Sequence, residues 1–181
     1  MKALLLGGWL AAAMLLSVPM VAAAGPADAA GALQAAPSRD PADFYQSAAS
    51  ANRFQIEAAE LAIERAGDAK VKTYAEMMLE DHRKADRKLT KLAVSKGVEL
   101  PTQLLKHHQV MLDGLKEVEQ AAAFDDDYRR KMVMAHEEVV SLFRQSAKMS
   151  PDPDVRAFAE SLLPKLQMHG NEAEKLKAAT R

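Results

Sequence analysis

The amino-acid sequence predicts an all-α protein, a bundle of four long helices with a shorter connector helix between the second and the third. Two observations lead to this fold class. Apolar residues recur at spacings of three and four over four long segments, which is the period of an amphipathic α-helix. No segment alternates between apolar and polar residues with a period of two, as a half-buried strand would. Four such helices bury their apolar faces most simply against one another.

Composition restricts the functions that this chain can have. Its 181 residues suit a single domain that buries enough surface to fold without a disulfide or a structural metal. The chain has no cysteine, which excludes disulfides, thiolate metal sites and thiol redox chemistry. A formal net charge of −1 provides no basic surface, so we expect neither nucleic acid nor an anionic membrane surface as a partner of the helical domain.

Residues 1–24 have the features of an export signal. Lys2 precedes an apolar stretch, and a run of alanines that ends at Ala24 provides an A-x-A cleavage site. We therefore predict a periplasmic protein, released by cleavage after this run or anchored in the membrane if the signal is retained. Residues 25–39 are rich in Ala, Gly and Pro without an apolar period, and we predict a flexible tether there. The helical domain is predicted over residues 40–178.

The first two long helices have recognisable start and end signals. Asp40 and Pro41 are predicted to be the N-cap and the first-turn proline of the first helix, and Gly67 its end. Asp68 is predicted to cap the second helix, which should end at Gly97. The predicted inward faces comprise Phe44, Ala48, Ala51, Gln55, Ala58 and Ala62 on the first helix and Val71, Ala75, Met78, His82, Ala85, Leu89 and Leu92 on the second.

The connector helix and the last two long helices follow in order. The connector carries an apolar stripe that includes His108. The acidic run 125–127 is predicted to lie at the N-terminus of the third long helix, where the helix dipole stabilises negative charge. Asp152 and Pro153 should cap and start the fourth, and Pro164 should kink it. The predicted inward faces comprise Tyr128, Met132, Ala135, His136, Val139, Leu142 and Phe143 on the third long helix and Val155, Phe158, Leu162, Leu166, His169, Ala173 and Leu176 on the fourth.

One polar residue lies near the midpoint of the inward face of each long helix. These residues are Gln55, His82, His136 and His169. The midpoints of helices of similar length meet at one level of a bundle, whether neighbouring helices run up or down. The spacing therefore predicts that three imidazoles and one amide converge in the interior.

The residue types of this cluster allow two interpretations. Neutral imidazole nitrogens bind Zn, Cu, Fe or Ni, which makes the three histidines candidate metal ligands. Around them we expect Gln55, Tyr128 and Asp81; Asp81 would either orient an imidazole or face solvent, and its position about 100° around the helix favours solvent. The alternative is a metal-free network in which the histidines, Gln55 and Tyr128 hydrogen-bond to one another.

Methionines near the histidines bear on the choice of metal. Met78 and Met132 each lie four residues before a cluster histidine, and Met168 adjoins the third. A set of thioethers and imidazoles would select Cu(I). Methionine at this spacing is also a common core residue, and that interpretation is favoured here.

The motifs favour a binding or structural protein over an enzyme. Di-iron catalysis in a four-helix bundle uses Glu-x-x-His motifs, but apolar residues lie three positions before the three histidines, namely Leu79, Val133 and Leu166. The sequence has neither a Gly-rich phosphate loop nor an H-E-x-x-H motif. His107 and His108 on the connector could bind metal ions adventitiously, and a packing role is favoured for His108.

Taken together, the motifs resemble the bacterial family called domain of unknown function 4142. The resemblance covers about residues 41–178 and rests on Phe54-Gln55-Ile56, Leu61-Ala62, Asp81-His82, Leu100-Pro101, Phe124-Asp125, Tyr128, His136, Leu163-Pro164 and His169. It implies an exported protein with a ferritin-like four-helix bundle and no established activity. Many members carry Glu where this chain has Gln55, so the resemblance implies that one carboxylate of a ferritin-type metal centre is missing here.

These observations lead to two expectations for function. The first is an exported periplasmic ferritin-like bundle that binds Zn, Cu or Fe through its core histidines. The second is a non-catalytic envelope-stress or interaction module whose buried histidine network is structural. Its partner would then be a second copy of the chain or another envelope protein.

Overall fold

The computed structural model describes residues 41–176, which form five α-helices and contain no strand. The helices are α1 (Pro41–Arg65), α2 (Ala69–Ser95), α3 (Lys106–Glu117), α4 (Ala121–Met149) and α5 (Pro153–Lys175). The predicted all-α fold class is confirmed, with α3 as the short connector between the second and third long helices. The predicted signal peptide, the tether and the cap at Asp40 lie outside the described residues.

The four long helices form a bundle in which neighbouring helices are antiparallel. α1 packs against α2 and α4, and α5 packs against the same two helices. The C-terminal half of α1 shares a hydrophobic cluster with the N-terminal halves of α2 and α4, and its N-terminal half shares another with their C-terminal halves. α2 and α4 therefore run in the same direction, and the segment that contains α3 crosses from one end of the bundle to the other. A single long crossover is a ferritin-like topology.

A polar layer separates the two hydrophobic clusters along the bundle axis. On α2, for example, His82 lies between Met78 of the first cluster and Leu89 of the second. On α4, His136 lies between Ala135 of the first cluster and Val139 of the second, and on α5, His169 lies between Ala173 and Leu166. The buried polar residues of this central layer include Gln55, His82, His136 and His169.

The predicted caps of α2 and α5 are confirmed. Asp68 Oδ1 accepts a hydrogen bond from the Lys70 N–H (2.8 Å). Asp152 Oδ1 accepts one from the Asp154 N–H (2.8 Å), and Pro153 is the first residue of α5. A short polar side chain at each N-cap thus satisfies a backbone donor that the helix itself leaves without a partner.

α2 ends in a Schellman motif, as a glycine just beyond a helix suggests. Gly97 has a φ of 67°, in the left-handed region where a side chain is disfavoured. The Val98 N–H donates to the Ala93 carbonyl (2.9 Å), and the Gly97 N–H donates to the Val94 carbonyl (3.1 Å). α5 continues without interruption through Pro164 to Lys175.

The acidic run does not lie at the N-terminus of α4. The helix begins earlier, at Ala121, and Asp125 is buried within it. Its Oδ1 accepts a hydrogen bond from the Gly67 N–H (3.1 Å), and its Oδ2 accepts one from the Asp68 N–H (2.9 Å). The helix-dipole explanation was therefore wrong for Asp125. The carboxylate instead satisfies backbone donors in the turn between α1 and α2.

Side chains of α1 fix both ends of the connector helix α3. Near its start, Ser50 Oγ accepts a hydrogen bond from the Leu105 N–H (2.7 Å). At its C-terminal end, the Arg65 guanidinium donates to the carbonyls of Lys116 (3.0 Å) and Val118. Carbonyls at the end of a helix lack intrahelical partners, so an arginine from a neighbouring helix stabilises this position.

Over residues 41–176, none of the helices combines the length and the apolar character that a membrane crossing requires.

Candidate metal centre

Three histidines from three different helices form a compact cluster in the polar layer. The distances between ring centroids are 5.9 Å for His82 and His136, 5.3 Å for His82 and His169, and 5.6 Å for His136 and His169. All three residues are buried. One nitrogen of each ring lies within 4.8 Å of one nitrogen of each of the other two. The predicted convergence of the three rings is confirmed; metal binding by them remains a prediction.

One nitrogen of each ring contacts an oxygen outside the cluster. The three contacts are His82 Nδ1 to Asn52 Oδ1 (2.9 Å), His136 Nδ1 to the Met132 carbonyl (2.8 Å) and His169 Nε2 to Asp81 Oδ2 (3.0 Å). A carbonyl or carboxylate oxygen only accepts, so each of these ring nitrogens carries the proton and donates it. The Asn52 amide is oriented independently, because its Nδ2 donates to Asp86 Oδ1 (3.3 Å).

The second nitrogen of each ring has no hydrogen-bond partner among the described residues. These atoms are His82 Nε2, His136 Nε2 and His169 Nδ1, and all three are buried. In a neutral imidazole with one N–H, the other nitrogen carries a lone pair. A buried polar atom without a partner costs on the order of 1–3 kcal/mol. Three buried lone pairs at one level of the bundle are therefore costly unless something binds them.

Burial keeps the three imidazoles in the neutral form at neutral pH. It lowers the pKa of His82 well below its ordinary value, and the two neighbouring rings lower it further. Burial also lowers the pKa of His136 to about 4, against the hydrogen bond to the Met132 carbonyl. The pKa of His169 is lowered by burial as well, although Asp81 opposes the shift. Neutral imidazole is the form that binds metals.

Asp81 does not face solvent as the favoured interpretation had it. Its side chain is only 15% exposed, and it contacts His169 and the Lys165 ammonium (3.1 Å) on α5. Burial by itself raises the pKa of Asp81, but the hydrogen bonds from His169 and Lys165 outweigh this and lower the pKa overall. The ionised carboxylate therefore orients the His169 ring from outside the cluster, as carboxylates do for metal-bound histidines.

Gln55 lies in the polar layer with its amide unsatisfied. The residue is fully buried, and neither its Oε1 nor its Nε2 has a hydrogen-bond partner in residues 41–176. Gln55, Asn52 and His82 line one small cavity with a volume of about 20 Å³. The remaining lining residues are apolar, so these three side chains form the one polar edge of the cavity. Its volume is enough for one water molecule at that edge.

Tyr128 is not part of the layer. Its ring packs at 6.2 Å from Tyr74 and at 6.2 Å, nearly parallel, from Phe124, within the first hydrophobic cluster. Its hydroxyl has no hydrogen-bond partner among the described residues. The predicted network that joins the histidines to Gln55 and Tyr128 is therefore absent from this part of the chain. Tyr128 lies eight residues before His136, about 12 Å along α4.

His136 also lines an open groove between α4 and α5. The groove has a volume of about 430 Å³, and its walls include Glu137, Asn171 and Gly170. A Cβ atom on Gly170 would lie 3.2 Å from His136 Cβ, which is closer than ordinary packing allows. The glycine thus brings α5 close to α4 at the cluster, beside a groove that is open to solvent.

Sequence reasoning missed Asn52 and Gly170. Asn52 lies on α1 one turn before Gln55, and a second polar residue on an inward face was a signal that could have indicated a partner for a histidine. Gly170 follows His169 directly, and a glycine within a helix often marks a close approach to a neighbour. Neither residue type identifies its partner without the positions of the other helices.

The fold and the cluster define a class: ferritin-like four-helix bundles with a buried layer of three histidines. The chain belongs to the family described as Domain of unknown function (DUF4142), whose model matches residues 26–176. That description names no activity. No curated protein matches the chain with significance.

Three solved structures share the fold. A DUF305 fragment from Deinococcus radiodurans is 15% identical, with a TM-score of 0.64, over 74% of this chain and 92% of the other. CopM in the Cu(II)-bound form is 16% identical, with a TM-score of 0.61, over 74% and 93%. A conserved hypothetical protein from Mycobacterium tuberculosis is 17% identical, with a TM-score of 0.57, over 80% and 100%. At these identities the likeness establishes the helical-bundle fold alone.

Proposed function

We propose that this chain is an exported periplasmic protein that binds one transition-metal ion through His82, His136 and His169. One observation carries the proposal: each ring donates one N–H to an oxygen outside the cluster and keeps its other, unpartnered nitrogen for the interior. Outer hydrogen bonds of this kind set the tautomer and the orientation of metal-bound imidazoles. A purely structural network would instead pair the ring nitrogens with one another or with nearby polar groups.

The donor set favours zinc or copper. Three neutral nitrogens suit borderline and soft cations, whereas iron in ferritin-like bundles is bound largely by carboxylates. In tetrahedral zinc sites, Zn–N distances of about 2.0–2.1 Å place the ligand nitrogens roughly 3.4 Å apart. Nitrogens that already lie within 4.8 Å of one another reach this separation through small ring movements. The Asp81 carboxylate bonds to His169 and would orient that ligand, so we propose metal binding rather than catalysis.

The fourth coordination position would be open. The cavity shared by Gln55 and His82 can hold one water molecule. A metal-bound water on the side of His82 that faces this cavity would have the unpartnered Gln55 amide as a hydrogen-bond partner. CopM, one of the structural neighbours, was solved in a Cu(II)-bound form, which makes copper a natural first metal to test.

The test is the metal content of protein expressed from the full-length sequence. The chain is loaded with Zn²⁺, Cu²⁺ or Cu⁺, dialysed against a weak chelator and measured by elemental analysis. We expect about one tightly bound ion in the wild type and background levels in His82→Gln, His136→Gln and His169→Gln. Background metal in the wild type, or an unchanged content in all three variants, would refute the proposal.

Thermal melting separates a lost ligand from a lost fold. A ligand that binds only the folded state stabilises it by about 2.7 kcal/mol at a hundredfold excess over Kd, so metal should raise the melting temperature of the wild type more than that of the three histidine variants. Tyr128→Phe is the matched control, because it changes a buried polar group on α4 outside the layer. If the histidine variants change the melting temperature while metal never does, the structural histidine network is the correct interpretation.

Export is tested on the same preparation. The intact mass of protein from the periplasmic fraction should correspond to a chain that begins at Gly25. Protein that remains in the cytoplasm with an uncleaved N-terminus would contradict the proposed location.

A further inference from the structure

We propose that His107, His108 and Glu138 form a second site for a divalent transition-metal ion, on the outside of the bundle where α3 packs against α4. One potential ligand atom from each residue lies within 4.8 Å of one from each of the others. The site shares no residue with the buried cluster. The inference therefore does not depend on the function proposed above.

The three side chains already converge on one another. His107 Nε2 lies 3.0 Å from Glu138 Oε1, and His108 Nε2 lies 3.5 Å from Glu138 Oε2. The two imidazole rings are adjacent, with centroids 4.0 Å apart. One carboxylate thus faces a nitrogen from each ring, which is the arrangement of a two-histidine, one-carboxylate metal site.

His108 distinguishes this group from an ordinary surface ion pair. The residue is fully buried, and its Nε2 has no hydrogen-bond partner among the described residues. The 3.5 Å separation from Glu138 is too long for a good hydrogen bond. A buried, unpartnered ring nitrogen that points to a carboxylate is costly, and a shared cation would satisfy both groups.

The other side of the His108 ring is held in place. Its Nδ1 lies 2.8 Å from Ser50 Oγ, and its ring stacks on Phe54 with a centroid distance of 5.5 Å and an interplanar angle of 15°. Metal binding at Nε2 requires the tautomer in which Nδ1–H donates to Ser50, and this distance accommodates it. The favoured packing role of His108 is also confirmed by its burial against Phe54. This packing uses the face of the ring, whereas metal binding would use Nε2 on its edge.

The chemistry indicates a borderline divalent cation such as Zn²⁺ or Cu²⁺. Two imidazoles and one carboxylate suit these ions, and the negative charge of Glu138 offsets part of the positive charge. The side chains of His107 and Glu138 are 48% and 42% exposed, so water would complete the coordination. Because exposed side chains must be ordered on binding, we expect this site to be weaker than the buried one.

Calorimetric titration of the full chain with Zn²⁺ or Cu²⁺ tests the proposal. We expect two binding events in the wild type, one tight and one weaker. His107→Ala and Glu138→Gln change exposed side chains, so they should remove the weaker event and retain the tight one. Asp113→Asn is the matched control, because it neutralises an exposed carboxylate on α3 outside the proposed site. It should retain both binding events. A weaker event that is unchanged in both His107→Ala and Glu138→Gln would overturn the second site.

The two proposals fail in distinguishable ways. A single event that is lost in His136→Gln but not in His107→Ala supports only the buried site. A single event that is lost in His107→Ala but not in His136→Gln supports only the outer site. Electron paramagnetic resonance of bound Cu²⁺ provides a second readout, because two nitrogen ligands are expected at the outer site and three at the buried one. If all of the bound Cu²⁺ shows three nitrogen ligands, the outer site is excluded.

Discussion

Asp81 on α2 accepts a hydrogen bond from His169 on α5, at 3.0 Å between Oδ2 and Nε2. The next residue, His82, points into the cluster. Two consecutive residues of α2 therefore serve the cluster: His82 provides one ring, and Asp81 holds the ring of His169 in place. This contact fixes the His169 tautomer with its proton on Nε2 and its lone pair on the buried Nδ1. In zinc proteins, a carboxylate that accepts a hydrogen bond from a metal-bound imidazole in this way raises the basicity of the ligand.

Asp81→Asn should weaken metal binding without removing any ligand. The amide can still accept from His169, but the negative charge that supports the imidazole is lost, and outer partners of this kind are worth roughly 10–100-fold in affinity. Competition against a chelator of known affinity measures the change. Glu80→Gln, at an exposed carboxylate next in sequence, is the control and should bind metal as the wild type does. An affinity for Asp81→Asn within twofold of the wild type would show that Asp81 has no such role.

Gly170→Ala should lower metal affinity while it leaves the fold intact. Alanine favours helix over glycine by about 1 kcal/mol. The new Cβ would lie 3.2 Å from His136 Cβ, so the ring or the helix must shift. Gly114→Ala is a matched control on α3, because its Cβ would meet only the Lys131 side chain, with Nζ at 3.4 Å. Isothermal titration should show weaker metal binding in Gly170→Ala than in the wild type and in Gly114→Ala. Equal affinities of the three proteins for the metal would contradict the prediction.

Acid should destabilise the metal-free protein through its buried histidines. The pKa of His136 is about 4 in the folded state, against 6.5 for the ordinary side chain. Between these values the unfolded chain binds a proton that the folded chain does not, so the free energy of unfolding falls as the pH falls below about 6.5, until about pH 4. One pKa unit corresponds to 1.36 kcal/mol, so the loss from His136 is on the order of 3 kcal/mol.

Urea denaturation of chelator-treated protein at a series of pH values measures this loss. The wild type should lose more stability between pH 7 and pH 4 than His136→Gln, which has no titrating group at that position. Gly114→Ala changes no titratable group and should follow the wild type. Parallel pH profiles for the wild type and His136→Gln would contradict a lowered pKa at His136.

Asp125→Ala should destabilise the fold and leave metal binding intact. The substitution removes the acceptor of the Gly67 and Asp68 N–H groups, and loss of such a cap costs about 1–2 kcal/mol. Burial raises the pKa of Asp125, and these two hydrogen bonds oppose the shift. The cost of burying the ionised carboxylate therefore offsets part of the stabilisation that the contact provides. Chemical denaturation measures the effect, with Asp126→Asn as the control in the same acidic run. Equal stability of the two variants would show that the contact is dispensable.

Much of the fold follows from local patterns in the sequence. Apolar residues at helical spacing identified the four long helices, and short polar residues identified the starts of α2 and α5 at Asp68 and Asp152. The common level of His82, His136 and His169 also followed, because it depends only on distance along each helix. These features depend on neighbours within a few residues, so a single sequence contains them.

The tertiary structure alone decided which nitrogen of each ring is free and what holds the other. Asn52 and Asp81 have their partners on other helices, 30 and 88 positions away in the sequence. Asp125 has its partners in the turn between α1 and α2, 57 and 58 positions away. Their contacts depend on how each helix is rotated about its axis and which helices are neighbours, and periodicity leaves both undetermined. The sequence by itself thus determined that three histidines face one core, whereas the packing of the helices decided that one nitrogen of each ring is bonded outside the cluster and the other is buried without a partner.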